Sequence, residues 1–322
     1  MLSCSKSTIF IISNMRLSLL KYIIYLACLC LFTILSGCTS NQKPQSESEQ
    51  PEIKRVVSFS PNLTQIVYAL GAQDLLVGVD EYSVYPEAAK SVPRMGSYLD
   101  PDLEALIAAK PDLVLVLKTD EGISNDLLSL GFRFEEFGND NLNDIQASYI
   151  RLGKLLDRED EARELSSRFT RTADEVASKL SGVEPRTVAL VVGRNQGRMQ
   201  DIYVAGGGNF LGELLELAGG DNVFKNEPIP WPQVGAESLI GTDPDVIIDS
   251  TLAKGSSDEE YVALLKDWDQ LPTLKALKND RVIVARNGWF QIPGAYIDST
   301  LLLFAHWLHP EIFPEEPENP NL

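Results

Sequence analysis

Beyond position 38 the chain has no cysteine: all four, Cys4, Cys28, Cys30 and Cys38, sit at its N-terminal end. That distribution excludes a disulfide framework and a cysteine metal centre in the body of the protein. Histidine is scarcer still. The two present, His306 and His309, have no Cys or carboxylate motif beside them and make no zinc signature. Bases are short as well, with 28 Lys and Arg against 46 Asp and Glu and a formal charge of −18. A body this acidic does not hold nucleic acid through phosphate contacts. The same charge repels anionic lipid and serves solubility. Catalytic motifs are missing too. No nucleophile elbow occurs. The run Gly206-Gly207-Gly208 precedes a helical stretch but lacks the spacing and the lysine of a phosphate-binding loop, so it reads as a tight turn. Paired carboxylates carry little information where acids are this common. The chain therefore reads as a non-enzyme without a resident metal.

What is present begins with the leader. An apolar stretch over 22–35 follows Arg16 and Lys21, the layout of a secretory signal. It is short for a membrane span, which needs ~20 residues. It ends in Leu35-Ser36-Gly37-Cys38, which resembles the bacterial lipobox. The resemblance implies cleavage before Cys38, a diacyl thioether on its sulfur and an acylated new N-terminus. Two or more acyl chains anchor stably where one is marginal. Met15-Arg16 is a more natural start than Met1. Residues 1–37 carry three bases, Lys6, Arg16 and Lys21, and no acid, so their loss takes the charge from −18 to −21. After the lipidated cysteine, 38–54 is polar, with two prolines and no aromatic. It reads as a flexible tether. The expected location is extracytoplasmic, held to the membrane through lipid alone.

From Arg55 the pattern becomes that of an α/β domain. Strands are expected at 55–59, 75–79, 113–117 and 132–137. Between them, Leu63, Ile66, Val67 and Leu70 give helical spacing closed by Gly71, and short helices are expected around Leu103–Ile107 and 125–130. Buried apolar strands alternating with helices indicate a mainly parallel sheet. Across 142–179 no strand candidate occurs. Ile145, Ile150, Leu152 and Leu155 fit one helix. A second long one, capped by Asp157, places Leu165, Phe169, Ala173, Val176 and Leu180 on one stripe. The α/β rhythm then restarts, with strands at 187–192, 246–248 and 282–285 and helices at 210–217, 261–268 and 295–307. The expected architecture is two α/β lobes, 55–156 and 182–310, joined by one bridging helix at 157–181, with a loose acidic tail at 311–322. A rigid helical link predicts little hinge motion. A monomer is expected.

Aromatic residues cluster in the loops after strands, where α/β sheets place ligands. Tyr82 and Tyr85 precede Pro86, Tyr98 precedes Leu99-Asp100-Pro101, Trp231 stands between Pro230 and Pro232, and Trp289 and Phe290 follow Asn287-Gly288. Each alone is ordinary packing. Several in matching loops of two lobes point to an apolar-walled cleft.

The runs Arg55-Val56-Val57-Ser58-Phe59-Ser60-Pro61-Asn62, Ala69-Leu70-Gly71-Ala72, Val77-Gly78-Val79, Tyr85-Pro86, Asp102-Leu103-Glu104 and Lys110-Pro111-Asp112-Leu113-Val114 resemble helical-backbone substrate-binding proteins of ABC importers. Gly219-Gly220-Asp221-Asn222-Val223-Phe224 and Asp243-Pro244-Asp245-Val246-Ile247-Ile248 continue the match. The family binds cobalamin, ferric siderophores or haem and serves a permease dimer with its ATPase. Ile229-Pro230-Trp231-Pro232-Gln233-Val234, followed by Glu237, is similar to the cobalamin-binding members. The resemblance implies ligand contacts at Tyr85, Tyr98, Trp231, Trp289 and Phe290, and transporter docking through Glu104 and Glu237. Leu117 departs from the pattern, standing where a further tryptophan is expected. The transported ligand implied is cobalamin or a related corrinoid. Arg194, Arg198 and Arg286 keep a ferric siderophore or haem open as the alternative, and an extracytoplasmic hydrolase is the remote one.

Overall fold

Short apolar runs such as 113–117 and 246–248 supply central strands of two sheets, and stretches between them supply the covering helices. The computed structural model describes residues 52–118, 122–252, 256–286 and 288–320. The expected signal, Cys38 and the tether as far as 51 lie outside the described residues.

The first sheet holds β1 (Val56–Ser58), β2 (Leu76–Val79), β3 (Leu113–Leu117) and β4 (Phe134–Phe137), in the order β2-β1-β3-β4. All neighbours run parallel. Helices α1 (Pro61–Ala69), α2 (Leu103–Ala109), α3 (Ser124–Leu130) and α4 (Leu142–Leu155) make the crossovers and the cover. Both faces of the central strands are buried, and their side chains alternate between two cores. Val56, Leu113 and Leu115 pack on one side with Leu63, Ile66 and Val67 of α1. Val57, Val114 and Val116 pack on the other with Leu106 of α2 and Leu127 of α3. Pro61 opens α1, where its missing N–H costs nothing, and Gly71 follows the helix at φ +65°.

The bridge is α5 (Glu159–Lys179), about 31 Å long at 1.5 Å per residue. Glu159, Asp160 and Glu161 fill its first turn, where they complement the helix dipole. Asp157 does not cap it. Arg158 holds the cap position, and Asp157 turns the chain between helices at φ +54°. Gly153 of α4 lets α5 come close, because a Cβ there would lie 2.4 Å from that of Ala162.

The second sheet contains β5 (Arg186–Gly193), β6 (Ile202–Val204), β7 (Gly220–Asn222), β8 (Gln233–Val234), β9 (Val246–Asp249) and β10 (Val282–Val284). Its order is β10-β9-β5-β6-β8, with β7 also on β5. β7, β9 and β10 pair in parallel, whereas β6 and β8 run antiparallel. Helices α6 (Phe210–Leu217), α7 (Ala236–Thr242), α8 (Asp258–Asp267), α9 (Lys275–Lys278) and α10 (Ile297–Leu308) complete the lobe. One continuous core takes in Val56 and Leu115 of the first sheet, Leu165, Phe169 and Val176 of α5, Val188 and Ile248 of the second sheet, and Phe304 of α10. The bridging helix is thus part of a shared core.

The tail expected to be loose begins packed. Phe313 is 7% exposed, with Lys179 over its ring. Its carbonyl meets His306 Nδ1 at 2.7 Å, and Glu311 pairs with Arg186 at 2.7 Å.

Candidate functional site

A cavity of about 360 Å3 opens where the lobes meet. Asn139 and Asp140, after β4, supply one wall. Val192 of the second lobe, Asn209, Phe210 and Leu211 at the start of α6, Pro230 and Trp231, and Gln291 and Pro293 before α10 supply the rest. The lobes are tied together around it. The Phe210 amide donates to the Asp140 carbonyl (2.8 Å), and the Leu142 amide donates to Glu213 Oε2 (2.7 Å). Each helix start in one lobe therefore finds a partner in the other. Tyr149 Oη donates to the Gly294 carbonyl at 2.7 Å. A Cβ on Gly294 would lie 2.2 Å from Gln65 Oε1, so any other residue there would have to push the Gln65 side chain of α1 aside.

Trp231 owes its place to the glycine run. The Val204 and Gly206 amides donate to the carbonyls of Pro232 (3.0 Å) and Pro230 (2.9 Å). Asn209 caps α6 with Oδ1 on the Gly212 amide and ties Nδ2 to the Pro230 carbonyl at 2.8 Å. A Cβ on Gly206 would meet the Ile229 carbonyl at 2.7 Å, and one on Gly207 the Lys225 carbonyl at 2.0 Å. The bare backbone admits the Pro-Trp-Pro segment, and the indole stays 40% exposed.

The other expected contacts are distributed differently. Tyr98 is 38% exposed on a tight loop between Gly96 and Pro101. Tyr85 is buried in the shared core. Phe290 is 1% exposed, edge-on to Phe304 (5.7 Å) and Trp307 (5.4 Å). Trp289 borders a separate cavity of about 380 Å3 with Tyr261, Arg286 and Trp307. In this structure the Trp289-Phe290 pair anchors a short turn, and that turn delivers Gln291 and Pro293 to the first cavity. Of the five aromatics, Trp231 is the one that lines the first cavity. Gln291, Asn139 and Asp140 had no signal of their own in the sequence, being polar residues in loops.

The three candidate arginines are occupied or remote. Arg194 is buried and binds Asp249 Oδ2 (2.9 Å), Asp267 Oδ2 (2.7 Å) and the Leu264 carbonyl. Arg286 pairs with Asp258 and lies over the Tyr261 ring at 4.1 Å. Arg198 is exposed and does not line the cavity. At the open end of the first sheet, Asp80 is buried beneath the Tyr82–Tyr85 loop. It accepts from Ser83 Oγ and from the Tyr82 amide. Burial raises its pKa above the usual carboxylate value, against those hydrogen bonds and nearby Arg94.

Glu104 and Glu237 are both exposed, each in the first turn of a seven-residue helix, α2 and α7. The two settings match closely. Each helix ends in a left-handed residue, Lys110 or Asp243, followed by proline and aspartate. Asp112 accepts from the Lys54 and Arg55 amides, and Asp245 from the Thr187 amide and hydroxyl. Each aspartate thus fastens the start of the central strand of its own sheet.

Among the described residues no helix is long and apolar enough to cross a membrane. A vitamin B12-binding protein of Yersinia pestis is 28% identical over 197 residues, covering 61% of this chain and 69% of its own. Among solved structures, the periplasmic vitamin B12 binding protein BtuF of Vibrio cholerae superposes with a TM-score of 0.67. It is 22% identical, over 82% of this chain and 98% of its own. The periplasmic heme-binding protein RhuT of Roseiflexus sp. RS-1 superposes equally well, with a TM-score of 0.67 at 20% identity over 81% and 99%. The family model described as periplasmic binding protein matches residues 56–287, and with that span of both lobes the chain belongs to the periplasmic binding protein family.

Proposed function

We propose that this protein captures cobalamin or a related corrinoid between its lobes and delivers it to an ABC importer, anchored outside the cytoplasm by lipid on Cys38. The observation that carries the ligand reading is the half-exposed Trp231 at an interlobe cavity whose described lining residues include no Lys, Arg or His. A flat apolar wall suits a macrocycle, and a lining without cations suits a ligand edge without carboxylates. In this reading Tyr98, the other partly exposed aromatic of the five, meets the ligand from the first lobe, while Tyr85, Trp289 and Phe290 stay packed in the shared core. At about 360 Å3 the cavity accommodates an edge of a macrocycle, with the remainder against the open cleft. Haem is the second reading, favoured by the equal superposition of the heme-binding neighbour.

Calorimetric titration of the purified protein with cyanocobalamin and with haemin separates the two. Trp231→Ala is expected to weaken cyanocobalamin binding by about 2 kcal/mol, as loss of a central aromatic anchor does. An unchanged affinity in a folded variant places the ligand elsewhere. Anchoring has its own check, because Cys38→Ser is expected to yield unlipidated protein. A mass spectrum of the wild-type N-terminus that starts anywhere but at an acylated Cys38 rejects it.

A further inference from the structure

We propose that the cavity lining selects an uncharged, N–H-bearing ligand edge over a carboxylate, with Asp140 and Gln291 as the selecting residues. The inference rests on the corrinoid reading and deepens it. The polar side chains on the lining are Asn139, Asp140, Asn209 and Gln291. Two of them have their donors spent. Asn209 gives its amide protons to the carbonyls of Gly206 (3.1 Å) and Pro230 (2.8 Å) and takes the Gly212 amide on Oδ1. Gln291 gives its amide to the Ser250 carbonyl (3.1 Å) and to the Ser250 hydroxyl. What Gln291 has left for a ligand is Oε1, an acceptor. Asp140 takes the Phe210 amide on its backbone carbonyl, and its ionised side chain accepts only. The Phe210 amide, one main-chain donor on the lining, is therefore also spent.

A carboxylate entering here would meet the Asp140 charge and, at Gln291, an oxygen where it needs a donor. Like charges brought close together repel, and an anion that gives up water for too few donors is costly. A primary carboxamide meets the opposite situation. Its two N–H groups suit Asp140 and Gln291 Oε1, while its carbonyl can turn to the Asn139 amide. Corrinoids carry acetamide and propionamide arms around the ring, whereas haem carries carboxylates. The selection is negative as much as positive, built from one fixed anion and an acceptor at Gln291.

The test compares ligands that share one macrocycle. Wild-type protein is titrated with cyanocobalamin and with its isomeric monocarboxylic acids, each made by hydrolysing one side-chain amide. At least one acid is expected to bind about tenfold or more weakly, which is 1.4 kcal/mol or more. Asp140→Asn keeps size and shape and is expected to shrink that ratio to about threefold or less, because the fixed charge is gone while Oδ1 still accepts from a carboxamide. Gln291→Lys, which brings a cation to the same place, is expected to reverse the preference. If every acid binds like cyanocobalamin, or if Asp140→Asn leaves the ratio intact, the selection is refuted and the corrinoid reading stands. If haemin binds and cyanocobalamin does not, both are refuted.

Discussion

Buried carboxylates need hydrogen bonds or a counter-ion, and Asp80 and Asp249 meet the need in different ways. Asp249 has Arg194, the Trp268 indole and the Thr251 amide. Asp80 has the Ser83 hydroxyl and the Tyr82 amide, while Arg94 spends its guanidinium on the backbone carbonyls of Asp80 and Ser83. Desolvation prevails at Asp80 and its pKa is raised from 3.8. The folded state then binds this proton more tightly than the unfolded state. By linkage the proton's contribution is largest at low pH and is lost as pH rises from the ordinary carboxylate value through the raised one. Urea unfolding between about pH 4 and pH 7 is expected to show that decline in the wild type and a flatter profile in Asp80→Asn. Identical slopes would mean that burial of Asp80 is not the cause. At this scale the sequence was partly legible. Pro230-Trp231-Pro232 announced itself because prolines fix the loop and no neighbouring pattern competes for the indole. Trp289 and Phe290 looked the same in sequence, yet they turn inward. Phe304 and Trp307 of α10, remote along the chain, complete the aromatic cluster that holds Phe290.

Elements were legible where length and periodicity gave a signal. The apolar strand β3 and the stripe of α5 occur where spacing places them. β6, β7 and β8, of three, three and two residues, are too short to show alternation. β6 and β7 form by pairing with β5, and β8 by pairing with β6. The glycine run was read as a turn, and its second use became visible once the Trp231 segment lay against it. Gly206→Ala is the direct test of that coupling. The added Cβ would meet the Ile229 carbonyl at 2.7 Å, so the 229–232 segment must shift. Overpacking of this kind costs ~1–3 kcal/mol. The expected outcome is lower unfolding stability together with weaker cyanocobalamin binding. Lower stability at unchanged affinity would show that Trp231 tolerates the displacement and that Gly206 matters only for packing.

Over the whole molecule, the shared core and the interlobe hydrogen bonds bear on delivery as well as capture. The core reaches from Val56 through Phe169 to Phe304, and Tyr149 fastens α4 to the loop before α10. Packed interiors transmit strain and deform little, so the lobes are expected to keep their relative placement. That rigidity gives the matched positions of Glu104 and Glu237 their interest. Both stand in the first turn of a seven-residue helix, and each helix leads through Pro-Asp into a central strand. First-turn glutamates also favour a helix dipole by ~0.3–1 kcal/mol, which would account for either one alone. Two exposed carboxylates on a fixed frame can in addition meet two arginines of a permease dimer at a set separation, through bidentate pairs. The family resemblance favours that use. The double variant Glu104→Ala with Glu237→Ala is expected to bind cyanocobalamin with wild-type affinity, since neither residue lines the cavity. Uptake into cells or transporter-bearing vesicles is expected to collapse, and each single variant to lose part of it. Normal uptake by the double variant would leave the two glutamates as helix-start residues and place docking elsewhere on the lobes.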